Sequence, residues 1–194
     1  ENDIEQEIKR TYQIHKKYIV SPIKSGMVII NQKRAHERVL YEEFLTNMTV
    51  QQASSQRLLF PLELHFSPSE MIILKELKES LEKTGFVFSA MTTEIAMMTG
   101  LPVNLSDKEV QALLEELIHN FNESIPESGF SQIDKIAQTM CKNLAVKTGN
   151  YLSEKEQEGI VNSLFACKEP TISPFQKPTF ITFTVEDLDK RFAL

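Results

Sequence analysis

The apolar run Met27–Ile30, which leads directly into the polar run Asn31–Arg38, is the feature that most constrains the fold of this chain. Beyond it, Ala35, Val39 and Phe44 recur at helical spacing. A short, continuous apolar run predicts a buried strand, and the periodic pattern predicts a helix. A strand therefore delivers polar side chains to a helix start, which is a common position for ligands.

Composition limits the class of protein. The 194 residues include 41 % hydrophobic and 25 % charged residues, which is typical of a globular protein and argues against disorder. The net charge of −6 makes this chain poorly suited to gripping nucleic-acid phosphates by charge alone. The two cysteines, Cys141 and Cys167, have no partners at Cys-x-x-Cys spacing, which argues against a disulfide scaffold and a simple zinc finger and favours a reducing cytosol.

Two further features concern the context of the chain. No apolar stretch approaches the roughly 20 residues that a membrane helix needs, and the N-terminus is acidic where a signal peptide is basic. The chain has no initiator methionine. We therefore expect a cytoplasmic fragment of a longer protein.

Alternating and helix-period patterns predict short elements in the first part of the chain. The alternation from Tyr12 to Val20 predicts one half-buried strand, and Pro22–Gly26 predicts a turn into the next. A helix over about residues 34–46 follows. The polar segment 46–55 lacks either periodicity and is interpreted as a linker.

The rest of the chain predicts more strands and helices. Phe60–Phe66 alternates strictly, and Pro61 places that strand at a sheet edge because proline lacks an amide proton. Ser67 and Glu70 form a capping box for a helix that stops at Gly85. The other predicted elements are strands at 86–90 and 94–99, helices capped at Ser106 and Ser153, a helix from Gln132 to Gly149, an irregular loop at 169–178, a strand from Phe180 and a last helix at 185–192.

A second linker is predicted at 122–131. Together the two linkers suggest an α+β fold in two lobes, with residues 53–128 inserted into a domain made of 1–52 and 129–194.

The polar run also resembles a known motif. It resembles the motif Asp-Gln-His-Ala-x-x-Glu-x-x-x-x-Glu, where x is any residue, in the C-terminal dimerisation domain of the MutL family of mismatch-repair proteins. This chain matches it at Gln32, Glu37 and Glu42 but has Asn31 for the Asp and Lys33 for the His. Two of the cation-site residues that the resemblance implies are therefore absent.

Further segments resemble the same family in the right order and spacing. Gln56–Leu62 is similar to the family's sliding-clamp-binding segment, and Lys177–Phe180 is similar to its late Arg-Pro-Thr. With the ending Val185–Phe192, the resemblance runs from about Tyr12 to the C-terminus. It implies a dimerisation subdomain, here 1–52 with 129–194, interrupted by an external subdomain, here 53–128.

The resemblance implies a dismantled metal site. Nuclease-active members build a two-metal site from the Asp, His and first Glu, a Cys in Ala-Cys-Arg, and the Cys and His of Cys-Pro-His-Gly-Arg-Pro. Here those last positions are Cys141, Ser173 and Phe175, so only Glu37 and Cys141 keep a ligand of the usual type. Because stable zinc sites use about four ligands, we expect no metal and no catalytic residue. Lys33 lies four residues before Glu37 and is expected to pair with it.

Simpler interpretations exist for single residues. Glu37 and Glu42 could lie on a solvated helix face, and Cys141 could be a small buried hydrophobe. Cys167 matches no family ligand and is expected to be structural. His36, beside Glu37, is a candidate makeshift ligand, although a lone histidine is more often a surface or hydrogen-bonded one.

The clamp-binding segment is predicted to be retained. Gln56 offers an amide, Leu58, Leu59 and Phe60 offer apolar anchors, and Pro61 ends the segment on an edge strand. Short peptides of this design place a few anchors into a preformed groove. The alternative is an ordinary strand preceded by a glutamine.

The predicted function is a homodimerising, partner-docking module for the sliding clamp and other mismatch-repair proteins. The resemblance implies that ATP, magnesium and most DNA contacts belong to an N-terminal domain absent from this chain, and that no cofactor is needed here. One alternative is an endonuclease with a rearranged site built from Glu37, Glu42, Cys141 and His36. The other is an unrelated α+β binding domain.

Overall fold

A computed structural model describes residues 11–50, 53–103, 105–122 and 129–193. In those residues two small antiparallel sheets are accompanied by six helices, so the predicted α+β fold class is confirmed. The strands are β1 (Tyr12–Ile14), β2 (Tyr18–Ile23), β3 (Gly26–Asn31), β4 (Ser55–His65), β5 (Val87–Met91), β6 (Ile95–Pro102) and β7 (Phe180–Thr184). The helices are α1 (Gln32–Thr49), α2 (Pro68–Lys83), α3 (Asp107–Asn122), α4 (Gly129–Leu144), α5 (Glu154–Ala166) and α6 (Val185–Phe192).

The described chain divides into two compact units. One comprises the residues through Val39 together with those from Ala145 onward, and the other runs from Leu40 to Leu144. This division falls inside α1 and at the end of α4, whereas the predicted boundaries lay in polar segments. Part of the second predicted linker, 123–128, lies outside the described residues.

The first unit contains a four-stranded sheet in the order β1-β2-β3-β7. Its inner face is dry, with Ile19 and Ile30 fully buried and Val28 2 % exposed. Helices α1 and α5 and the loop before α5 supply the rest of this core, whose further buried members are Ala35, Leu152, Ile160 and Leu164. Burying such aliphatic side chains is the main stabilising term for the unit.

The second unit contains a three-stranded sheet in the order β4-β6-β5. The prediction that Pro61 lies at a sheet edge is confirmed, since β4 is an end strand of this sheet in the part of the chain that the structure describes. Four leucines or methionines of α2 are buried, as its apolar stripe predicts, and its capping box joins Ser67 to Glu70. The chain turns at Gly85 with φ of 105°, which confirms the predicted stop.

Three predicted boundaries were wrong. Residues 12–20 form two strands rather than one, because His15 and Lys16 adopt positive φ and turn the chain into a hairpin. The first helix runs on to Thr49 through the predicted linker, since Phe44 and Met48 still bury their side chains. The fourth helix stops at Leu144 and not at Gly149.

The predicted alternation of the first strand also misplaced its buried face. Tyr12 is 57 % exposed, whereas Ile19, the exception to the pattern, is completely buried. Among the described residues, no helix has the combination of length and apolar character that would let it cross a membrane.

Candidate functional site

Gln32 lies fully buried at the start of α1 and binds several backbone segments. Its Nε2 donates to the carbonyl oxygens of Lys16 at 2.9 Å, Lys147 at 3.2 Å and Asn150 at 3.3 Å. Its Oε1 accepts a hydrogen bond from Gln13 Nε2 at 2.7 Å. The glutamine of the motif is therefore a structural residue that ties the β1–β2 hairpin and the loop before α5 to the helix start, a role that the motif did not reveal.

Asn31 begins the helix. Its Oδ1 accepts a hydrogen bond from the Arg34 backbone N–H at 3.1 Å, and its own N–H donates to the Thr179 carbonyl oxygen at 2.8 Å. An asparagine side chain at this position satisfies one of the unpaired donors at a helix N-terminus. The residue in the place of the family's aspartate thus acts as a cap and joins β3 to the segment before β7.

The predicted pairing of Lys33 with Glu37 is confirmed. The Lys33 Nζ lies 3.5 Å from Glu37 Oε1. Glu37 is only 4 % exposed, so its interpretation as part of a solvated helix face is wrong. A buried carboxylate is costly unless paired, and Lys33 supplies a fixed positive charge beside it.

Two arginines of α1 hold the irregular loop 169–178. Arg38 Nε donates to the Ile172 carbonyl oxygen at 2.7 Å, and a guanidinium nitrogen lies 3.5 Å from a Glu169 carboxylate oxygen. Arg34 donates to the Pro178 carbonyl oxygen at 3.1 Å. Arg38 was not among the predicted site residues, although its i,i+4 spacing from Arg34 places both arginines on one helix face.

Ser173 shapes the same loop. It is fully buried, and its hydroxyl oxygen accepts hydrogen bonds from the backbone N–H groups of Phe175 and Lys177, both at 3.3 Å. Its own N–H donates to the Lys177 carbonyl oxygen at 2.8 Å, and Gln176 adopts φ of 58° in the tight turn. The hydroxyl in the place of a family cysteine thus folds the loop, with Phe175 half-buried beside it.

His36 contributes a hydrogen-bond acceptor. Its Nδ1 accepts from the Val146 backbone N–H at 2.9 Å, and burial lowers the pKa of His36 below the usual value of a histidine. Both facts favour the neutral imidazole with its proton on Nε2. The Nδ1 lone pair is thereby engaged within the fold.

Glu42 and Cys141 belong to the second unit. Glu42 is half-buried on α1. Cys141 is fully buried on α4, and its Sγ donates to the Gln138 carbonyl oxygen at 3.2 Å, which agrees with a small buried hydrophobe. Cys167 ends α5, with its Sγ donating to the Ser163 carbonyl oxygen at 3.3 Å. Across the described ranges, no three histidine, cysteine or acidic side chains gather in a way that could hold a metal ion.

The predicted clamp segment forms a large bulge in β4. Arg57 pairs with Gly100, but Leu62 already pairs with Met98, so four residues of β4 face a single residue of β6. Within the bulge Leu59 is 95 % exposed and Phe60 is 82 % exposed. The predicted dry face of this strand holds for Leu64 and Phe66 but is wrong for Phe60.

The other members of the segment have different roles. The Gln56 Nε2 donates to the Leu105 carbonyl oxygen at 2.6 Å, which fixes the base of the bulge in the second unit. Leu58 is half-buried and Pro61 is exposed. The structure thus presents Leu59 and Phe60 on a strand edge, where proline interrupts the ladder.

The outer face of the four-stranded sheet is apolar. One row of paired residues crosses all four strands, from Tyr12 through Val20 and Ile29 to Ile181. Because side chains alternate along a strand, this row lies opposite the dry inner face. Tyr12 is 57 % and Ile181 52 % exposed, and Val20 and Ile29 are half-buried.

A family model described as the MutL C-terminal dimerisation domain matches residues 11–152. The chain belongs to this family. The match contains the β1–β2 hairpin, the buried Gln32 and the β4 bulge, whereas the loop 169–178 and α6 follow it along the chain.

Proteins named DNA mismatch repair protein MutL extend the likeness to the whole chain. The Flavobacterium johnsoniae protein is 61 % identical over 194 residues, which are 100 % of this chain and 30 % of that protein. The Pelodictyon phaeoclathratiforme protein is 33 % identical over 184 residues, covering 94 % of this chain and 29 % of that protein. The chain thus spans less than a third of the length of these two MutL relatives.

Proposed function

We propose that this chain joins two protomers of a mismatch-repair protein through the outer face of its four-stranded sheet. The observation that carries the proposal is the exposed apolar row from Tyr12 to Ile181. Contiguous apolar surface of this kind marks interaction sites in soluble proteins. A family whose name describes a dimerisation domain supports a second copy as its partner.

The geometry of the face favours a symmetric contact. A two-fold dimer buries the same patch on both copies, so the patch must be complementary to itself. A row with an aromatic side chain at one edge and aliphatic ones across the remaining strands can pack against its own copy without burying a charge. Because these side chains are already about half-buried, each would contribute roughly half of the 1.5–3 kcal/mol gained by burying a fully exposed apolar side chain.

A lysine in place of Ile181 is expected to convert the dimer to a monomer at micromolar concentration. Burying the new charge in an apolar interface costs several kcal/mol, or the interface stays open. Multi-angle light scattering, combined with metal analysis of the same sample, measures the effect. Thr182→Lys is the matched control, because Thr182 is exposed on the same strand but points to the opposite side of the sheet.

The outcomes separate the parts of this proposal. The assigned face is wrong if the parent chain is monomeric even at about 100 times the protein concentration used for the light scattering. It is also wrong if the Ile181→Lys variant stays dimeric. We further propose that this region performs no catalysis, because Glu37 is paired with Lys33 and the Ser173 hydroxyl is bound within its own turn. Stoichiometric bound zinc would contradict this proposal. Nicking of supercoiled DNA in the presence of manganese, if Glu37→Ala abolishes it, would contradict it as well.

We also propose that the β4 bulge docks on a sliding clamp. Two large apolar side chains, 95 % and 82 % exposed, protrude side by side from a strand edge, which suits anchors that enter a preformed groove. Gln56 is already bound to the Leu105 carbonyl oxygen, so Leu59 and Phe60 are expected to supply most of the binding energy.

Replacing Leu59 and Phe60 together with alanine is expected to weaken clamp binding by about 100-fold, because two anchors of 1–2 kcal/mol each are lost. Surface plasmon resonance with immobilised replication clamp measures the dissociation constant. Ile72→Ala is the control, since Ile72 is 64 % exposed on α2 of the same unit but lies outside the segment. Equal losses in both variants, or none in the first, would argue against this docking site.

In the whole protein, we propose that ATP and magnesium bind an N-terminal domain beyond this chain, which also makes most DNA contacts. Dimerisation here would raise the effective concentration of two such domains around DNA, and docking would bring the clamp and other repair proteins to them. A cytoplasmic location fits the low cysteine content, two in 194 residues, with Cys141 buried.

A further inference from the structure

The last helix of the described chain, α6, has an unusual environment. Its residues Val185–Phe192 form a complete helix with a capping box between Thr184 and Asp187, yet none of its residues is buried. Isolated helices of this length are marginal in water, so most need tertiary packing of an apolar face. The described residues of this chain supply little of that packing.

The apolar side chains of α6 lie on one stripe. Val185, Leu188 and Phe192 are spaced at i, i+3 and i+7, which places them on the same face of a helix. Val185 is 54 % exposed, Leu188 is half-buried and Phe192 is 76 % exposed. Between them come charged residues, with Lys190 Nζ paired to Glu186 Oε1 at 2.8 Å on the solvent side.

Helix α6 starts at the rim of the outer sheet face, because Val185 directly follows the last residue of β7. The Arg191 guanidinium carbon is 5.6 Å from the centre of the Phe183 ring. Phe183 pairs with Met27 and shares its side of the sheet with Ile181, because alternate residues of β7 point the same way. The backbone N–H of Val185 donates to the Ser25 carbonyl oxygen at 2.9 Å and fixes the start of the helix beside β3.

We propose that the apolar stripe of α6 packs against the second copy of this chain and extends the dimer interface beyond the sheet. The inference rests on the proposed dimerisation. The occupant is a second copy because α6 directly follows β7 and its Arg191 lies over Phe183, a residue of the face assigned to the dimer contact. In the dimer each helix gains more apolar neighbours than the described part of its own chain provides.

The test is a dimer dissociation constant measured by sedimentation equilibrium for the parent chain, Phe192→Ala and Lys190→Ala. Phe192→Ala is expected to weaken the dimer roughly 10- to 100-fold, because most of the apolar surface that this side chain would bury in the dimer is removed. Lys190→Ala, a change at an exposed residue on the solvent side of the same helix, is expected to change the dissociation constant less than about threefold. Hydrogen exchange of the α6 amides should slow as the protein concentration rises through the dissociation constant.

Each result has one meaning. A monomeric parent chain overturns the proposed dimerisation itself. A dimeric parent whose dissociation constant is unchanged by Phe192→Ala, with α6 exchange independent of concentration, overturns only the role of α6. If Phe192→Ala lowers the unfolding midpoint of the monomer without weakening the dimer, the stripe packs on its own chain and the inference is also wrong.

Discussion

Replacing Gly26 with alanine is expected to destabilise the first unit by roughly 3 kcal/mol or more. Gly26 begins β3 with φ of 149°, a conformation that side-chain-bearing residues rarely adopt. A Cβ built there lies 2.0 Å from the Phe183 carbonyl oxygen, which is backbone and cannot rotate away. Since Gly26 pairs with Thr184, relief of the clash would separate β3 from β7 at the rim of the proposed dimer face.

Gly159→Ala is the matched control for this change. Gly159 lies inside α5, and a Cβ there meets no atom within 4 Å. Alanine is favoured over glycine in a helix interior by about 1 kcal/mol, so this variant should be more stable than the parent chain. Urea unfolding followed by circular dichroism gives both midpoints. Similar unfolding midpoints for the two variants would contradict the prediction that a side chain at position 26 clashes with the backbone of β7.

Gln32→Ala is expected to lower the free energy of unfolding by about 3 kcal/mol, from lost hydrogen bonds at about 1 kcal/mol each and a buried cavity. The side chain is fully buried and binds the carbonyl oxygens of Lys16, Lys147 and Asn150. Gln13 shares this network, since its Nε2 also donates to the Asn150 carbonyl oxygen at 2.8 Å. The two glutamines therefore act as one unit.

A double-mutant cycle tests that unit. If Gln13 and Gln32 stabilise the same contacts, the double alanine variant should lose less stability than the sum of the single variants, by at least about 0.5 kcal/mol. Gln111→Ala is the control, because its hydrogen bond to the His65 carbonyl oxygen is exposed and it should cost under about 1 kcal/mol. An additive cycle, or a Gln32 variant as stable as the control, would contradict the structural role assigned to Gln32.

The helix starts were predictable because their signals are local. Ser67 and Ser153 each bind the backbone N–H three residues on, and each receives a glutamate in return, as the spacing in the sequence indicates. The buried stripe of α2 follows from helical periodicity alone. Each of these features depends on residues within one or two helical turns.

Strand faces and element ends were harder to predict. Alternation from Tyr12 to Val20 identified an extended segment, but tertiary packing buried Ile19 and exposed Tyr12. Helix α4 ends before the predicted glycine. Beyond it, Val146 and Lys147 bind His36 and Gln32, which are more than 100 residues earlier in the chain. Such long-range partners leave no periodic signal in the sequence.

The candidate site divides in the same way. The resemblance selected Asn31, Lys33, Glu37 and Ser173 by position. In the structure Asn31 caps a helix, Lys33 and Glu37 form an ion pair with each other, and Ser173 binds the backbone of its own turn. Arg38 was missed because its partners are backbone carbonyl and carboxylate groups of a distant loop. The absence of a metal and the contact with a clamp remain predictions.

The sequence by itself determined the family, the α+β class and the capped helices, since short motifs and periodic patterns act through neighbouring residues. Only the tertiary structure decided that the buried Gln32 side chain joins distant backbone segments by hydrogen bonds. It also decided that Leu59 and Phe60 protrude from a bulge and that the row from Tyr12 to Ile181 lies on an exposed face. These features depend on which strands pair and in which register. One-residue shifts of register would move every side chain of a strand to the opposite face.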